Sequence, residues 1–241
     1  MPAQFGGGQI VVSPEAGLKF YRANLINADP LLFRMATELV RPGDVVWDIG
    51  ANVGLFSFAA AALAGPQGRI LAVEPDTWLV SLLRRSADLV ASNRAQVVAL
   101  PAAVSDCMGL GELHIASRAR SANFMQSATS QAGGIRSSEC VVMVTLDWLL
   151  QHGPAPQVLK IDVEGLEHRV LAGGCKFLAE ARPRIWCEVS PENGEQVTSV
   201  LRRAGYDLFN AKLPPAERTP LPKAVWDTLA LPHQGTSPSL P

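Results

Sequence analysis

The stretch VVWDIGANVGLF, from Val45 to Phe56, passes from an apolar β-branched run to a glycine-punctuated turn and back to apolar residues. This order predicts a strand, a tight turn and a helix, because Gly50 and Gly54 permit backbone conformations that a β-carbon blocks. The helix that begins near Gly54 points free N–H groups at whatever lies above the strand. We therefore expect a small anionic or zwitterionic ligand at this turn.

The polar residues of the turn distinguish between two classes of ligand. A dinucleotide fingerprint reads GxGxxG directly after the strand, whereas this chain reads DxGxNxG, with Asp48, Gly50, Asn52 and Gly54. A carboxylate at Asp48 suits an ammonium group better than a diphosphate, which favours an amino-acid-like ligand. Glu74 ends the next apolar run, at a place from which a carboxylate can accept both hydroxyls of a ribose.

Strands and helices alternate on both sides of this turn. Asp29 and Pro30 provide an N-cap and first position for a helix that ends near Arg41. RILAVEP predicts a strand, a helix follows with Asp76 or Thr77 as its cap, and AQVVALPAAVSD predicts another strand. PQVLKIDVEG, PRIWCEVS and YDLFN continue the pattern. Such alternation predicts an α/β fold with a doubly wound, mostly parallel sheet.

The chain divides into three parts by composition. Residues 1–28 form an amino-terminal arm, 29–213 one α/β domain, and 214–241 a tail that holds seven of the eighteen prolines. Within the domain, residues 117–138 are polar and rich in Ser, Gly and Arg, which predicts a lid or a flexible loop. Within the tail, residues 224–231 are expected to add a last edge strand, antiparallel to YDLFN.

Composition disfavours several classes of protein. The net charge is -1 and no block of like charges occurs, so nucleic acid is not expected as a partner. The four cysteines lack CxxC spacing, which predicts reduced thiols. Neither a signal peptide nor a stretch long enough to span a bilayer is evident, so we expect a cytoplasmic protein without membrane contact. The oligomeric state is not legible, and a homodimer stays open.

A second motif, KIDVEG, places acidic residues at the end of an apolar strand. Asp162 would lie at the sheet centre, where an acid is costly to bury without a partner, so a functional role is favoured over a helix cap. Glu164 can turn to a ligand or to the next helix, and Gly165 allows the turn between them. His168, about one turn beyond Glu164, could reach the same crevice.

Six segments in this order resemble the FkbM family of S-adenosylmethionine-dependent methyltransferases: VVWDIGANVGLFSF, RILAVEPDTWLVSLLRRSADL, VVALPAAVSD, VTLDWLL, VLKIDVEGLEHRVLAGG and IWCEVS. The likeness covers about Pro42 to Asn210, and KIDVEG is its most specific part. It implies a class I methyltransferase (Rossmann-like) sheet of seven strands with an antiparallel last strand. It also implies transfer of a methyl group to a hydroxyl of a small molecule, such as a sugar or polyketide-type product.

The resemblance assigns residues to roles. Asp48, Gly50, Asn52 and Gly54 would surround the methionine end of the cofactor. Glu74 would hold the ribose, and Ser105 and Asp106 would border adenine. Methyl transfer requires an aligned acceptor oxygen and removal of its proton. The candidates for acceptor binding and proton removal are Asp162, Glu164, Glu188 and His168.

Alternatives stay open at this stage. Asp162 and Glu188 could bind Mg²⁺, as in related catechol-type enzymes, but Val189 follows Glu188 where those enzymes have an amide ligand, so no metal ligand is assigned. Arg118, Arg120 and Arg136 could clamp an acidic group of the acceptor. Other functions to weigh are a methyltransferase of nitrogen or of a macromolecule, an NAD-dependent oxidoreductase, and a non-catalytic regulator that binds S-adenosylmethionine.

Overall fold

A computed structural model describes residues 1–17, 25–89, 91–126 and 134–233. Within these residues the main sheet has seven strands in the order β10-β11-β9-β8-β1-β2-β3. All neighbours pair in parallel except β11, which is antiparallel to both β9 and β10. The doubly wound α/β fold and its antiparallel last strand are therefore confirmed.

The described strands and helices have the following bounds. The strands are β1 Val45–Ile49, β2 Arg69–Glu74, β3 Gln96–Pro101, β4 Ala103–Val104, β5 Gly109–Ala116, β6 Phe124–Met125, β7 Ile135–Val144, β8 Val158–Ile161, β9 Arg184–Glu188, β10 Tyr206–Asn210 and β11 Asp227–Pro232. The α-helices are α1 Leu25–Ala28, α2 Pro30–Leu39, α3 Leu55–Ala64, α4 Thr77–Ala87, α5 Leu146–His152, α6 Glu167–Ala172, α7 Cys175–Glu180 and α8 Gly194–Arg203. None of these described helices has the length and apolar character needed to cross a membrane.

Local sequence explains where the helices next to the ligand crevice begin. Asp29 caps α2 by accepting a hydrogen bond from Leu32 N at 3.2 Å, and Asp76 caps α4 by accepting from Trp78 N at 2.9 Å. Helix α3 is apolar on nearly every side and is buried against the sheet. Its burial fixes the glycine turn before it.

The last strand takes a different position from the one expected. Residues 224–231 were expected at the sheet edge, but β11 lies between β9 and β10, and the edge strand is β10. Leu229 and Ala230 are almost fully buried, which is the environment of a strand paired on both sides. The proline-rich segment before β11 therefore carries the chain from β10 back into the sheet.

A second, smaller sheet has the order β4-β7-β5-β6. Strands β5 and β7 pair along nearly their whole length, and β6 adds two residues to the free side of β5. Much of the lid candidate 117–138 is thus ordered: it contains a 3-10 turn at Arg120–Ala122, strand β6 and the start of β7. Residues 127–133 of that candidate lie outside the described residues.

Candidate active site

Two adjoining cavities lie above the carboxyl ends of β1, β2, β8 and β9. The apolar cavity is walled by Ile49, Val73, Ala102, Val104, Phe124 and Met125 and has Glu74 at one end. The charged cavity is walled by Asp29, Lys160, Trp186, Glu188 and Asp227. The two share a floor of Gly50, Asn52, Asp162 and Glu164, and Ser121 also borders both. An elongated ligand could therefore reach from one cavity toward the other.

The glycine turn lets two strand ends approach each other closely. Gly50 has φ +77, and a β-carbon there would lie 1.8 Å from the carbonyl oxygen of Asp162. Only glycine fits this position, because the backbone is left-handed and the space is already filled. Asn52 is also left-handed, with φ 53. Gly54 precedes α3 and lines neither cavity, and a β-carbon there would meet the side chains of Leu83 and Phe58.

Glu74 lines the apolar cavity and is 6% exposed. Its Oε2 accepts a hydrogen bond from Asn52 N at 2.9 Å, and its Oε1 accepts from Asp76 N at 3.0 Å. Burial raises the pKa of Glu74 to about 7, although both backbone N–H groups oppose the rise. Each carboxylate oxygen retains a lone pair, so the group can also accept from a diol.

Asp48 was expected to contact a ligand ammonium, but it lines neither cavity. It is fully buried at the end of β1, where Ser57 Oγ donates to its Oδ2 at 2.6 Å. Its Oδ1 lies 3.3 Å from Lys160 Nζ. The ammonium partner is thus supplied by the chain itself, because Asp48 and Lys160 are direct neighbours in the β1–β8 register.

Lys160 is a site residue that was missed from sequence. It is 4% exposed, lines the charged cavity, and its Nζ also lies 3.3 Å from Asp162 Oδ2. Burial lowers the pKa of Lys160, but the carboxylates of Asp48, Asp162 and Glu188 outweigh burial and hold it above its usual value. The alternation of side chains along a strand could have revealed Lys160 from sequence, since residues 160 and 162 face the same side of a strand.

Glu188 ends β9 and lines the charged cavity as predicted from its position. Burial and the neighbouring Asp162 carboxylate raise its pKa to about 8, against the attraction of Lys160. Asp227 and Asp29 also face this group and add to the rise. A carboxyl group with this pKa exchanges a proton close to neutral pH.

The KIDVEG turn behaves only partly as expected. Asp162 and Glu164 line both cavities. His168, expected near the same crevice, lines neither of them. Helix α6 begins at Glu167 and packs against α8, and His168 is half-buried there outside both cavities.

Ser105 and Asp106 were expected to border adenine. The part of this segment that lines the apolar cavity is Ala102, Ala103 and Val104, and neither Ser105 nor Asp106 lines it. Ser105 N donates to Val144 O at 2.9 Å, because β4 leaves the main sheet to pair with β7. The chain has therefore turned away from the cavity before Ser105.

Arg120 and Asn123 form a roof over the apolar cavity. Arg120 Nη1 donates to the buried Asp76 Oδ2 at 2.5 Å, and Asn123 Nδ2 donates to the same oxygen at 2.8 Å. The Arg120 guanidinium also lies 4.7 Å from the centroid of the Trp78 ring. Of the expected arginine clamp, Arg118 and Arg136 line neither cavity, and Arg136 contacts Glu15.

Asp162 and Glu188, the two suggested magnesium ligands, both line the charged cavity, and the Asp162 carboxylate helps to raise the pKa of Glu188. Among the described residues, no group of three or more His, Cys, Asp or Glu side chains is arranged to hold a metal ion. Near Asp162 the closest charged partner is the Lys160 ammonium.

Comparison with known proteins places this arrangement in a family. The sequence model of the family named Methyltransferase FkbM domain matches residues 48–208 of this chain. Hexuronic acid methyltransferase AglP of Haloferax volcanii is 24% identical over 157 residues, which cover 64% of this chain and 60% of that protein. The chain thus matches less than two thirds of the length of this relative.

A solved structure shows the same fold. Methyltransferase FkbM from Methylobacillus flagellatus KT superposes with a TM-score of 0.50 at 16% identity, and the match covers 82% of this chain and 49% of that one. This likeness concerns the fold alone. The family match takes in the end of β1, the glycine turn, Glu74 and KIDVEG, and it spans more than half of the sequence. The chain therefore belongs to the FkbM methyltransferase family.

Proposed function

We propose that this protein is an S-adenosylmethionine-dependent O-methyltransferase that acts on a hydroxyl group of a small molecule. The observation that carries the proposal is the pair of cavities with a common floor of Gly50, Asn52, Asp162 and Glu164. One cavity offers an apolar slot that ends in a carboxylate. The other offers charged groups that can orient a hydroxyl and take its proton.

The apolar cavity fits the nucleoside of the cofactor. Its apolar walls suit a purine ring, and Glu74 has acceptor capacity left for the two ribose hydroxyls. The absence of a β-carbon at Gly50 lets the backbone of Asp162 pack against the glycine turn, which brings the two strand ends together at the shared floor. When bound, S-adenosylmethionine would supply an already activated methyl group.

The charged cavity suits the acceptor. Lys160 ion-pairs with Asp162 and fixes that carboxylate at the floor, where it can accept a hydrogen bond from the acceptor hydroxyl. Glu188 is our choice of general base, because its pKa of about 8 makes its carboxylate a stronger proton acceptor than an ordinary one. Glu188 Oε would take the hydroxyl proton as the oxygen attacks. The sugar named for AglP supports a sugar-type acceptor.

Turnover should depend on the charge of Glu188. The group is protonated below its raised pKa, so the rate of methyl transfer is expected to rise with pH and to level off above about 8. Glu188→Gln should lose roughly 10²-fold to 10⁴-fold in kcat and lose this pH dependence. Label transfer from S-adenosylmethionine to a panel of neutral sugars, amino sugars and uronic acids would measure both. An unchanged pH profile in Glu188→Gln would assign the proton to another group.

Isothermal titration with S-adenosylhomocysteine tests cofactor binding without knowledge of the acceptor. We expect one site per chain and no heat with NAD, because DxGxNxG lacks the dinucleotide fingerprint. Binding of NAD in place of S-adenosylhomocysteine would support the oxidoreductase alternative. Binding of neither by the folded protein would overturn the proposal.

A further inference from the structure

Glu167 is a buried carboxylate with no part in the proposed reaction. It is the first residue of α6 and is 1% exposed. Its Oε1 accepts a hydrogen bond from Gly165 N at 2.7 Å, and its Oε2 accepts from Asn193 Nδ2 at 2.8 Å. A buried acid is costly unless such donors surround it, so its position calls for an explanation.

The donors come from two different turns. Gly165 belongs to the KIDVEG turn after β8, whereas Ser190 and Asn193 belong to the turn after β9. Ser190 N and Ser190 Oγ both donate to Glu167 at 3.4 Å. Asn193 Nδ2 also donates to Gly165 O at 2.8 Å. Glu167 and Asn193 thus hydrogen-bond to the backbone N–H and the carbonyl group of Gly165, respectively.

The KIDVEG turn held by these hydrogen bonds contains a residue in an unfavourable backbone conformation. Glu164, directly before Gly165, has φ +49, a left-handed conformation that non-glycine residues rarely adopt. Such a conformation persists when the surroundings over-determine it. Glu164 lines both cavities, so its backbone conformation helps to set the shape of their shared floor.

We propose that Glu167 and Asn193 are positioning residues that hold Glu164 at the shared floor and so pre-form the cofactor site. The pair also ties the turn that carries Glu164 to the strand end that carries Glu188, which fixes the distance between the two acids. This inference rests on the proposed function, because it requires that the cofactor bind over Glu164.

Affinity for S-adenosylhomocysteine, measured by titration well below the unfolding temperature, tests the inference. Asn193→Ala removes both amide hydrogen bonds and should weaken binding about 10-fold. Asn193→Asp places a second carboxylate against Glu167 and should weaken it further. Glu167→Gln combined with Asn193→Asp restores a donor facing an acceptor, so the double variant should bind more tightly than Asn193→Asp alone.

Thr198→Ala provides a control for a purely structural role. Thr198 is buried on α8, the helix that follows the turn after β9. Its hydroxyl donates to Gly194 O and accepts from Ala224 N, but Thr198 lines neither cavity. Its variant should lose stability while its affinity for S-adenosylhomocysteine stays within about 2-fold of wild type. Equal affinity in Asn193→Ala and wild type would overturn the inference. So would equal weakening in Asn193→Ala and Thr198→Ala at matched stability. Absence of binding in the wild type would instead overturn the proposed function.

Discussion

The two cavities that meet at Gly50 are built by different means. The apolar cavity uses backbone shape, apolar walls and one carboxylate whose oxygens already hold backbone N–H groups. The charged cavity uses titratable side chains that compensate one another, with Lys160 between Asp48 and Asp162 and with Glu188 beside them. One half of the site therefore recognises a fixed shape, whereas the other half depends on where charges and protons lie.

Gly50→Ala should have the largest effect on ligand binding, because both cavities share this residue. The new β-carbon would meet the Asp162 carbonyl oxygen, so affinity for S-adenosylhomocysteine should fall at least about 100-fold. Gly43→Ala is the matched control, since Gly43 also has positive φ but nothing lies within 4 Å of its β-carbon. Titration of both variants separates the collision from backbone strain. Equal affinities would contradict the packing described for the turn.

Lys160→Met tests whether the charged cavity depends on internal compensation. The change leaves Asp48 buried without its cation, which should cost about 3–5 kcal/mol in the free energy of unfolding. Asp48→Asn together with Lys160→Met removes both charges and should recover most of that loss. Urea denaturation of the two variants measures the difference. A single variant as stable as wild type would show that the ion pair is not the compensating contact.

Glu74→Gln tests the role of the single carboxylate at the apolar cavity. Loss of a charged acceptor should weaken S-adenosylhomocysteine about 10-fold to 100-fold, which is about 1.4–2.7 kcal/mol. The variant should also change the pH dependence of stability. The raised pKa of Glu74 contributes stability that is present below the unfolded value near 4.5 and is lost as pH rises through about 7. The unfolding temperature should therefore fall less between pH 5 and pH 8 in Glu74→Gln than in wild type.

Arg120→Ala should have the smallest effect, because the roof covers the apolar cavity without forming its floor. Loss of the contacts to Asp76 and Trp78 should weaken S-adenosylhomocysteine by roughly 2-fold to 5-fold and speed its release. Stopped-flow dissociation would measure the rate. Arg136→Ala, which removes an exposed contact to Glu15 outside both cavities, serves as the control. An identical release rate in both variants would mean that Arg120 does not retain the ligand.

Local patterns in the sequence predicted much of this architecture. The caps at Asp29 and Asp76, the glycine turn and the strand that ends at Glu74 follow from short-range rules, because each depends on neighbours within one element. KIDVEG placed Asp162 and Glu164 at the crevice for the same reason: they follow directly after a buried strand.

Long-range pairing accounts for what was missed. Asp48 was expected to face a ligand, but only the register between β1 and β8 shows that Lys160 lies beside it. The insertion of β11 between β9 and β10 depends likewise on which strands pair, which composition does not reveal. The roof formed by Arg120 over Asp76 joins residues 44 positions apart. Such contacts have no signature within a single element.

A crystal structure of the chain with S-adenosylhomocysteine would show whether the two cavities are the cofactor and acceptor halves of one site. We expect the ribose hydroxyls on Glu74, the adenine between Ala102 and Phe124, and the sulfur over the shared floor with the charged cavity open before it. The nucleoside bound in the charged cavity, or a ligand ammonium on Asp48 in place of Lys160, would overturn this assignment of the cavities.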